Sequence, residues 1–518
     1  MNHIVTIPPA QDSQSPFDTS LIQEHLSQGR RIFRQDFLNL AHVHSDYTNE
    51  DHFVLAVQQA AETLSIDPNK LSIAGPVTHT KIIATMGPAQ RHPDNPDLGE
   101  EAGSVNKEMI RDMMIAGARV FRLNFSHVKD ADHAGEKEFA WVIREVAAEL
   151  GISDEVKIMG DLQGPKHRLG LFKKHGNEEN GSVEFKAGDT LIMHSGIEEG
   201  YKADDGTIHA HFKNEDVYPH LQKGEEIKLA DGAVILEVLD TGQDEDEYFA
   251  KTQIIQGTEL SDRKGVNFPD SNMEIDVLPD KDLHDLPAMI DIRVDKIAVS
   301  FIQTAEDVIN LKQNIARIKA EKSINDEYTP LNVGKIEKPL ALLNIDEIGQ
   351  EVDEFMFARG DMGVEIDEND LPVAKEIIKA SAHKHGKPVI IATQVMSSLQ
   401  FKPNPTRSEI CAVNTYVDER TDFLMFSEET AMGRYVIAAI NAMQRGITKG
   451  EFLRDFPKKC TADFLDRLAN KFNQTDRVQR RKNLLGMLKN NPNGRIAKAN
   501  GHKAKTPNEE TLTPASPN

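Results

Sequence analysis

The chain has little of what marks several protein classes. Its 518 residues include two cysteines, Cys411 and Cys460, without a Cys-x-x-Cys spacing, which excludes a disulfide framework and a thiolate zinc site. No apolar run approaches the about 20 residues that span a bilayer. The first 16 residues have neither the apolar core of a signal peptide nor an Arg-rich amphipathic pattern. Basic residues are outnumbered, with 60 Lys and Arg against 83 Asp and Glu, and the resulting net charge of −23 at pH 7 argues against general binding to nucleic acid. We therefore expect a soluble cytoplasmic enzyme, away from membranes.

Eight short apolar runs alternate with segments of helical length from residue 81 onward. Each run is short enough for a strand and apolar enough to be buried on both faces. Eight such strand–helix units predict a (β/α)8 TIM barrel of the α/β class, over residues 78–169 and 269–446. The predicted strands are 81–86, 119–125, 157–162, 296–301, 332–336, 354–358, 388–393 and 423–426.

The gap between the third and fourth runs is too long for one helix. Residues 170–268 hold short β-like pieces separated by Gly/Asp turns, which predicts a small inserted β-barrel that forms a lid domain. The predicted strands there are 182–185, 190–194, 226–229, 233–238 and 248–255.

The two ends of the chain differ from this pattern. Residues 1–77 are predicted to form a helical N-terminal extension, with an amphipathic helix at 49–64. Residues 447–518 form a basic C-terminal tail, and the Asn/Pro/Lys-rich part after residue 490 is predicted to be disordered. A basic tail of this kind can contact a nucleic acid or an acidic partner, but a solvated, disordered tail is favoured here.

Polar side chains follow every predicted barrel strand, at the end where the active sites of such barrels lie. Lys335 and Glu337 are two residues apart on one strand, so their side chains point the same way. Glu337 and Asp361, on neighbouring strand ends, can hold a hard divalent cation such as Mg²⁺. For Lys335 and Glu337 alone, a buried salt bridge remains an equal alternative.

The motifs along the chain resemble, in family order, those of pyruvate kinase. They include Arg-Leu-Asn-Phe-Ser-His at 122–127, Gly-Asp-Leu-Gln-Gly-Pro-Lys at 160–166 and Ala-Arg-Gly-Asp-Met-Gly-Val-Glu at 358–365. The remaining matches are at 80–89, 264–267, 298–301, 335–337, 386–389, 392–394, 405–409 and 427–430. This resemblance implies a barrel with an inserted lid. It also implies the transfer of the phosphoryl group of phosphoenolpyruvate to ADP in glycolysis, by a homo-oligomer.

The resemblance also implies a role for each matching residue. Glu337 and Asp361 would hold Mg²⁺ or Mn²⁺, Lys335 would stabilise the transferring phosphoryl group, and Arg122 would bind it. Backbone N–H groups of the turn at 358–363, which contains Gly360, would bind the substrate carboxylate, and Thr393 would relay a proton. The nucleotide would be bound by His127, Arg168 and Lys264. The potassium ligands would be Asn124, Ser126, Asp161 and the carbonyl of Leu162.

Several positions depart from the family pattern. Lys166 stands where many members have Glu, and its ammonium group can replace the potassium ion. Ala230 replaces the first Asp of an Asp-Asp-Gly turn in the lid, and Glu428 adds negative charge near the phosphate-binding rim. The family's C-terminal α/β domain, which usually binds allosteric activators, has no counterpart in this sequence, so we expect such regulation to be missing or relocated.

Two other functions remain open. One is a catalytically weak relative that binds phosphoenolpyruvate or nucleotide and signals through its added N- and C-terminal segments. Glu428 and the missing C-terminal domain favour this function, and the intact set of Lys335, Glu337 and Asp361 opposes it. The other is a Mg²⁺-dependent enolate lyase or aldolase on the same barrel, which the lid and Lys264 oppose, because aldol chemistry needs no nucleotide clamp.

Overall fold

The computed structural model describes residues 78–91, 103–128, 132–174, 181–244, 247–271 and 276–455, and the single positions 461, 464 and 487. The predicted N-terminal extension and nearly all of the chain beyond residue 455 lie outside the described residues.

Numbered in chain order, the strands are β1 (Lys81–Thr85), β2 (Ala118–Asn124), β3 (Lys157–Asp161), β4 (Leu171–Phe172), β5 (Ser182–Glu184), β6 (Thr190–His194), β7 (Glu199–Lys202), β8 (Ile208–His211), β9 (Glu226–Leu229), β10 (Val234–Asp244), β11 (Glu247–Gln256), β12 (Glu259–Ser261), β13 (Val266–Asn267), β14 (Lys296–Val299), β15 (Leu331–Ile336), β16 (Glu354–Ala358), β17 (Val389–Ala392) and β18 (Phe423–Met425).

The α-helices follow the same order. They are α1 (Lys107–Ala116), α2 (Ala134–Glu149), α3 (Asp280–Ile292), α4 (Ala305–Glu321), α5 (Pro339–Leu343), α6 (Ile345–Glu351), α7 (Arg359–Glu365), α8 (Leu371–His385), α9 (Arg407–Asp418), α10 (Glu428–Ala431) and α11 (Val436–Asp455).

Eight parallel strands close into a barrel in the order β1-β18-β17-β16-β15-β14-β3-β2. All eight predicted runs fall on these strands, so the predicted (β/α)8 barrel is confirmed. In β14 the four residues Lys-Ile-Ala-Val are all buried, which is typical of a parallel strand covered on both faces. The strand register pairs Thr85 with Arg122 and Asn124 with Asp161, and this brings the polar strand ends to one rim.

The barrel is filled by side chains from every strand. This inner cluster consists of Ile83, Val120, Met159, Ala298, Val333, Met356, Ile390, Ala392, Phe423 and Met425. A larger apolar layer lies between the strands and the surrounding helices. The polar rim is therefore supported by a packed core on both sides of the sheet.

The lid, formed by β4–β13, has a separate apolar core. It contains an eight-stranded sheet in the order β13-β9-β10-β11-β6-β8-β7-β4 and a two-stranded sheet of β12 and β5. The five predicted lid strands are present, and the β10–β11 hairpin runs further than predicted. Sequence reasoning missed the other five lid strands, β4, β7, β8, β12 and β13, which are two to four residues long. Their sequences carry few strong β-formers in alternation, as in β8, which reads Ile-His-Ala-His.

The last helix continues beyond residue 446, where the sequence predicted the barrel to end, and reaches Asp455. Two contacts account for the extra turns. Gly450 lies against Val417 of α9, and the Glu451 carboxylate accepts a hydrogen bond of 2.9 Å from Thr80 N, just before β1. Among the described residues, no helix is long and apolar enough to cross a membrane.

Candidate active site

Lys335 lies at the centre of the polar rim, near the end of β15. Its Nζ donates a hydrogen bond of 2.7 Å to Ser300 Oγ and lies 3.1 Å from Glu337 Oε1 and 3.3 Å from Asp161 Oδ1. Burial alone would lower the pKa of Lys335, but the charges of Asp161, Glu337 and Asp361 outweigh it and raise that pKa. The site therefore holds a buried, fully charged ammonium group.

Arg122 brings a second positive charge to the same carboxylate. Its Nε donates to Asp161 Oδ2 over 2.6 Å, and its Nη1 donates to Thr85 Oγ1 over 3.1 Å. Burial would raise the pKa of Asp161, but Lys335 and Arg122 together lower it. Asp161 thus stays ionised and orients the two cationic groups that could neutralise a phosphoryl group.

Glu337 is fully buried and only partly satisfied. Its Oε2 accepts a hydrogen bond of 2.7 Å from Phe301 N, whereas its Oε1 accepts no hydrogen bond although Lys335 is near. Burial raises the pKa of Glu337, and the nearby charge of Asp361 raises it further against the effect of Lys335. Two adjacent carboxylates, one with an unsatisfied buried oxygen, fit a hard divalent cation that would relieve this repulsion.

The turn after β16 is fixed to the strand end of β17. Gly360 N donates to Thr393 Oγ1 over 2.9 Å, and the Arg359 guanidinium donates to the Thr393 carbonyl. Thr393 and Gln394 have φ values of 62° and 51°, an uncommon conformation for residues with a Cβ. The amide of Gly360, expected to be presented to a substrate carboxylate, is thus bonded to Thr393 in this structure.

The loop after β3 is held by a residue that sequence reasoning missed. Asp282, in the first turn of α3, accepts hydrogen bonds from Gln163 N (3.0 Å) and Gly164 N (2.7 Å). Gly164 has a φ of +70°, and a Cβ there would lie 2.7 Å from Ser300 Cβ, so the loop needs glycine. The only sequence signal was an acidic residue in a first helical turn, which usually marks a solvated helix end.

Lys166 connects the barrel rim to the lid. Its Nζ lies 3.5 Å from Asp361 Oδ1 and 3.8 Å from Asp231 Oδ1. Asp231 lies in the β9–β10 turn, where it and Ala230 both have positive φ values, of 55° and 53°. The ammonium group therefore stands between a candidate metal ligand and the lid.

Of the four residues expected to bind potassium, Asn124 lies opposite Asp161 in the strand register, and three have ligand oxygens with partners within the protein. Asn124 Oδ1 accepts from Ser126 N over 3.3 Å, and the Leu162 carbonyl accepts from Ser300 Oγ over 2.8 Å. Asp161 is engaged by Arg122 and Lys335.

Two of the three expected nucleotide residues are neighbours at the base of the lid. Arg168 and Lys264 are both exposed. Arg168 forms a β-bridge with Gly265, and Leu169 N donates to the Lys264 carbonyl over 2.9 Å. His127 ends the turn Phe125–His127 after β2, and its side chain lies outside the described part of the chain.

Comparison with known proteins matches this chain to pyruvate kinases. The family model described as "Pyruvate kinase, barrel domain" matches residues 77–440. Pyruvate kinase 2 of Synechocystis is 35 % identical over 366 residues, which are 71 % of this chain and 56 % of that protein. The pyruvate kinase of Thermococcus litoralis is 33 % identical over 370 residues, which are 71 % of this chain and 69 % of that protein.

A solved structure gives the same picture. A pyruvate kinase from Cryptosporidium parvum superposes with a TM-score of 0.63 at 28 % identity, over 80 % of each chain. The matched region of this chain covers between about half and about two thirds of the length of the Synechocystis and Thermococcus litoralis proteins. With the barrel, the inserted lid and the ordered motifs, these matches lead to one conclusion: the chain belongs to the pyruvate kinase family.

Proposed function

We propose that the chain transfers the phosphoryl group of phosphoenolpyruvate to ADP and yields pyruvate and ATP. The observation that carries this proposal is the buried Lys335 ammonium group, set among three carboxylates beside the unsatisfied Glu337 Oε1. The pyruvate kinase names of the relatives support it. Phosphoryl transfer needs concentrated, fixed positive charge rather than a strong nucleophile, and Lys335, Arg122 and a divalent cation held by the carboxylates would supply it.

Glu337 and Asp361 would hold Mg²⁺ or Mn²⁺, and such an ion would supply charge neutralisation for phosphoryl and enolate oxygens. Arg122 would bind the phosphoryl group, because its guanidinium group has several donors and Nη1 faces the rim at Thr85. Asp161 would keep Arg122 and Lys335 in place, since it contacts both.

In the chemical step, a terminal phosphate oxygen of ADP attacks the phosphorus, and the bond between phosphorus and the enol oxygen breaks. The electron pair stays on the enolate oxygen, which Lys335 would stabilise. The enolate then takes a proton on its methylene carbon to give pyruvate. Thr393 would orient the water that delivers this proton, because its hydroxyl group is fixed between Gly360 N and the Ala392 carbonyl.

Arg168, Lys264 and His127 would bind the nucleotide phosphates. Arg168 and Lys264 are exposed cations at the base of the lid, so lid movement would bring them to or from the nucleotide. A potassium ion would be bound by Asn124, Ser126, Asp161 and the carbonyl of Leu162. In the absence of potassium, Lys166 would supply the positive charge.

Glu428 was one of the features that favoured the regulatory alternative, and its position gives that alternative little support. Glu428 is exposed at the start of α10, whereas the buried carboxylate there is Glu429, which accepts from Ser427 N over 2.8 Å. An exposed carboxylate is screened by water and salt and disturbs a phosphate site weakly.

The test is an assay of the purified full chain with phosphoenolpyruvate, ADP and Mg²⁺, in which pyruvate is reduced by lactate dehydrogenase. We expect pyruvate formation that needs both ADP and the metal. Pyruvate formation without ADP would indicate a phosphatase or lyase, and binding of both substrates without turnover would indicate the regulatory function.

A further inference from the structure

Two histidines and an aspartate meet near the N-terminal ends of α2 and α3. His133 immediately precedes α2, whereas His284 and Asp285 lie on α3. One ligand atom from each, two imidazole nitrogens and a carboxylate oxygen, lie within 4.8 Å of one another. Two helices that are far apart in sequence thus converge on one point.

The distances within this cluster suit a single small cation. His133 Nε2 lies 2.9 Å and His284 Nδ1 lies 3.7 Å from the same oxygen, Asp285 Oδ1. In a tetrahedral zinc site with bonds of about 2.0 to 2.1 Å, neighbouring ligand atoms lie about 3.3 Å apart. Both contacts to Asp285 Oδ1 differ from this spacing by about 0.4 Å, so small adjustments would bring each imidazole nitrogen and the carboxylate oxygen to it. The two nitrogens, which lie within 4.8 Å of each other, would reach the same spacing by rotation of the exposed His284 side chain.

Lys281 orients the Asp285 carboxylate so that one of its oxygens faces the two histidines. Lys281 Nζ lies 2.6 Å from Asp285 Oδ2 and also donates to the Phe125 carbonyl over 2.7 Å. Oδ2 is therefore occupied, and Oδ1 is turned toward both imidazoles. Such outer contacts fix metal-binding side chains in known sites.

Lys281 also decides which cation fits. Its charge offsets that of Asp285, so the cluster has little net negative charge to attract Mg²⁺ or Ca²⁺, which need several oxygen ligands. Imidazole nitrogens instead favour zinc, copper and nickel.

The cluster combines a rigid member with an accessible one. The His133 side chain is only 4 % exposed, and its ring lies 5.8 Å from the Phe125 ring and 5.6 Å from the His284 ring. The His284 side chain is 61 % exposed, so an ion can reach the site and keep water as a further ligand.

We propose that His133, His284 and Asp285 bind one transition-metal cation of the zinc type, at a site separate from Glu337 and Asp361. The bound ion would join α2 to α3. Through Lys281 and Phe125, the site contacts the turn that follows β2. This binding does not depend on the proposed phosphoryl transfer.

The test is equilibrium dialysis of the full chain, stripped of metal, against Zn²⁺ in the presence of excess Mg²⁺, which occupies oxygen-rich sites. We expect one zinc ion per chain, with affinity lowered by about tenfold or more in His284→Gln, since even outer contacts of metal sites contribute about 10- to 100-fold. Because His284 is exposed, this variant should fold normally and retain wild-type turnover with Mg²⁺. His220→Gln, which changes an exposed lid histidine, is the matched control and should bind zinc like the wild type.

Two further measurements test whether the zinc ion binds at another site. Glu337→Gln should keep this zinc ion, because the catalytic carboxylates do not contribute to it. Co²⁺ should give the visible absorption bands of a four- or five-coordinate site in the wild type but not in His284→Gln. Equal zinc affinity in the wild type and His284→Gln, loss of the zinc in Glu337→Gln, or no zinc binding by the wild type would each overturn the proposal.

Discussion

Lys166 Nζ lies 3.5 Å from Asp361 Oδ1, so a lysine ammonium group adjoins a carboxylate that is also a candidate metal ligand. A covalently attached positive charge at this position can replace that of a bound monovalent cation.

We therefore predict that activity in a buffer with only organic monovalent cations stays within about twofold of that with potassium, a difference of about 0.4 kcal/mol in the barrier. Lys166→Glu should become dependent on potassium, because it removes the ammonium group and places a third carboxylate beside Asp231 and Asp361. A bound cation would then be needed to supply the missing positive charge. Lys186→Glu, at an exposed lid position, is the control and should not. A wild-type rate that rises by about tenfold on adding potassium would contradict this role for Lys166.

The second prediction concerns the divalent cation. Glu337→Gln and Asp361→Asn should each lower turnover by orders of magnitude and raise the Mg²⁺ concentration needed for half-maximal rate, because each removes a charged ligand. Steady-state kinetics across a Mg²⁺ titration measure both effects. Near-wild-type pyruvate formation by either variant would mean that the metal binds elsewhere.

The third prediction separates the chemistry of Lys335 from its contribution to stability. Lys335→Met should lower kcat much more than it changes the KM for phosphoenolpyruvate, because the ammonium group is needed mainly in the transition state. Lys296→Met is a matched control, since Lys296 is also buried and bound to Glu354, 2.5 Å away, but at the opposite end of the barrel. The control should lose stability and retain kcat. A change confined to KM in Lys335→Met would make Lys335 a binding group only.

The fourth prediction concerns His167, between Lys166 and Arg168. Burial, with a smaller effect of the Lys338 charge, lowers the pKa of His167 from 6.5 to about 4, and its Nε2 has no hydrogen-bond partner. Between these pH values the unfolded chain holds the extra proton and the folded chain does not, so acid favours unfolding. Stability should fall by about 3 kcal/mol from this group alone as the pH drops from 6.5 to 4.

His167→Gln cannot take up this proton and should lose that part of the pH dependence. Urea unfolding at several pH values, followed by a signal from the lid, measures the difference. His220→Gln should keep the wild-type dependence, because His220 is exposed. An unchanged pH dependence in His167→Gln would show that other groups carry it.

The barrel could be predicted because its strands carry the strongest sequence signal. Runs such as the one in β14 are apolar on both faces and follow one another at regular intervals. The end of α11 could not, because it depends on Gly450 packing against Val417, a contact between distant segments. The lid strand β8 was missed because its alternation is short and carried by histidines.

The site shows the same division. The positions of Lys335, Glu337 and Asp161 at strand ends followed from the eight apolar runs and the polar residues that follow each of them. Their mutual distances did not, nor did the support that Asp282 gives to the loop after β3 through backbone amides. Such contacts depend on how helices pack on the sheet, which no local pattern encodes.

We propose that this rim moves a phosphoryl group from an enol phosphate to a nucleoside diphosphate. The most direct measurement is ³¹P NMR of the full chain with phosphoenolpyruvate, ADP and Mg²⁺, with pyruvate quantified in the same sample. We expect the phosphoenolpyruvate signal to be replaced by the signals of ATP, with one ATP formed for each pyruvate. Lys335→Met should abolish this phosphoryl transfer. Release of inorganic phosphate in place of ATP, or no loss of phosphoenolpyruvate under these conditions, would contradict it.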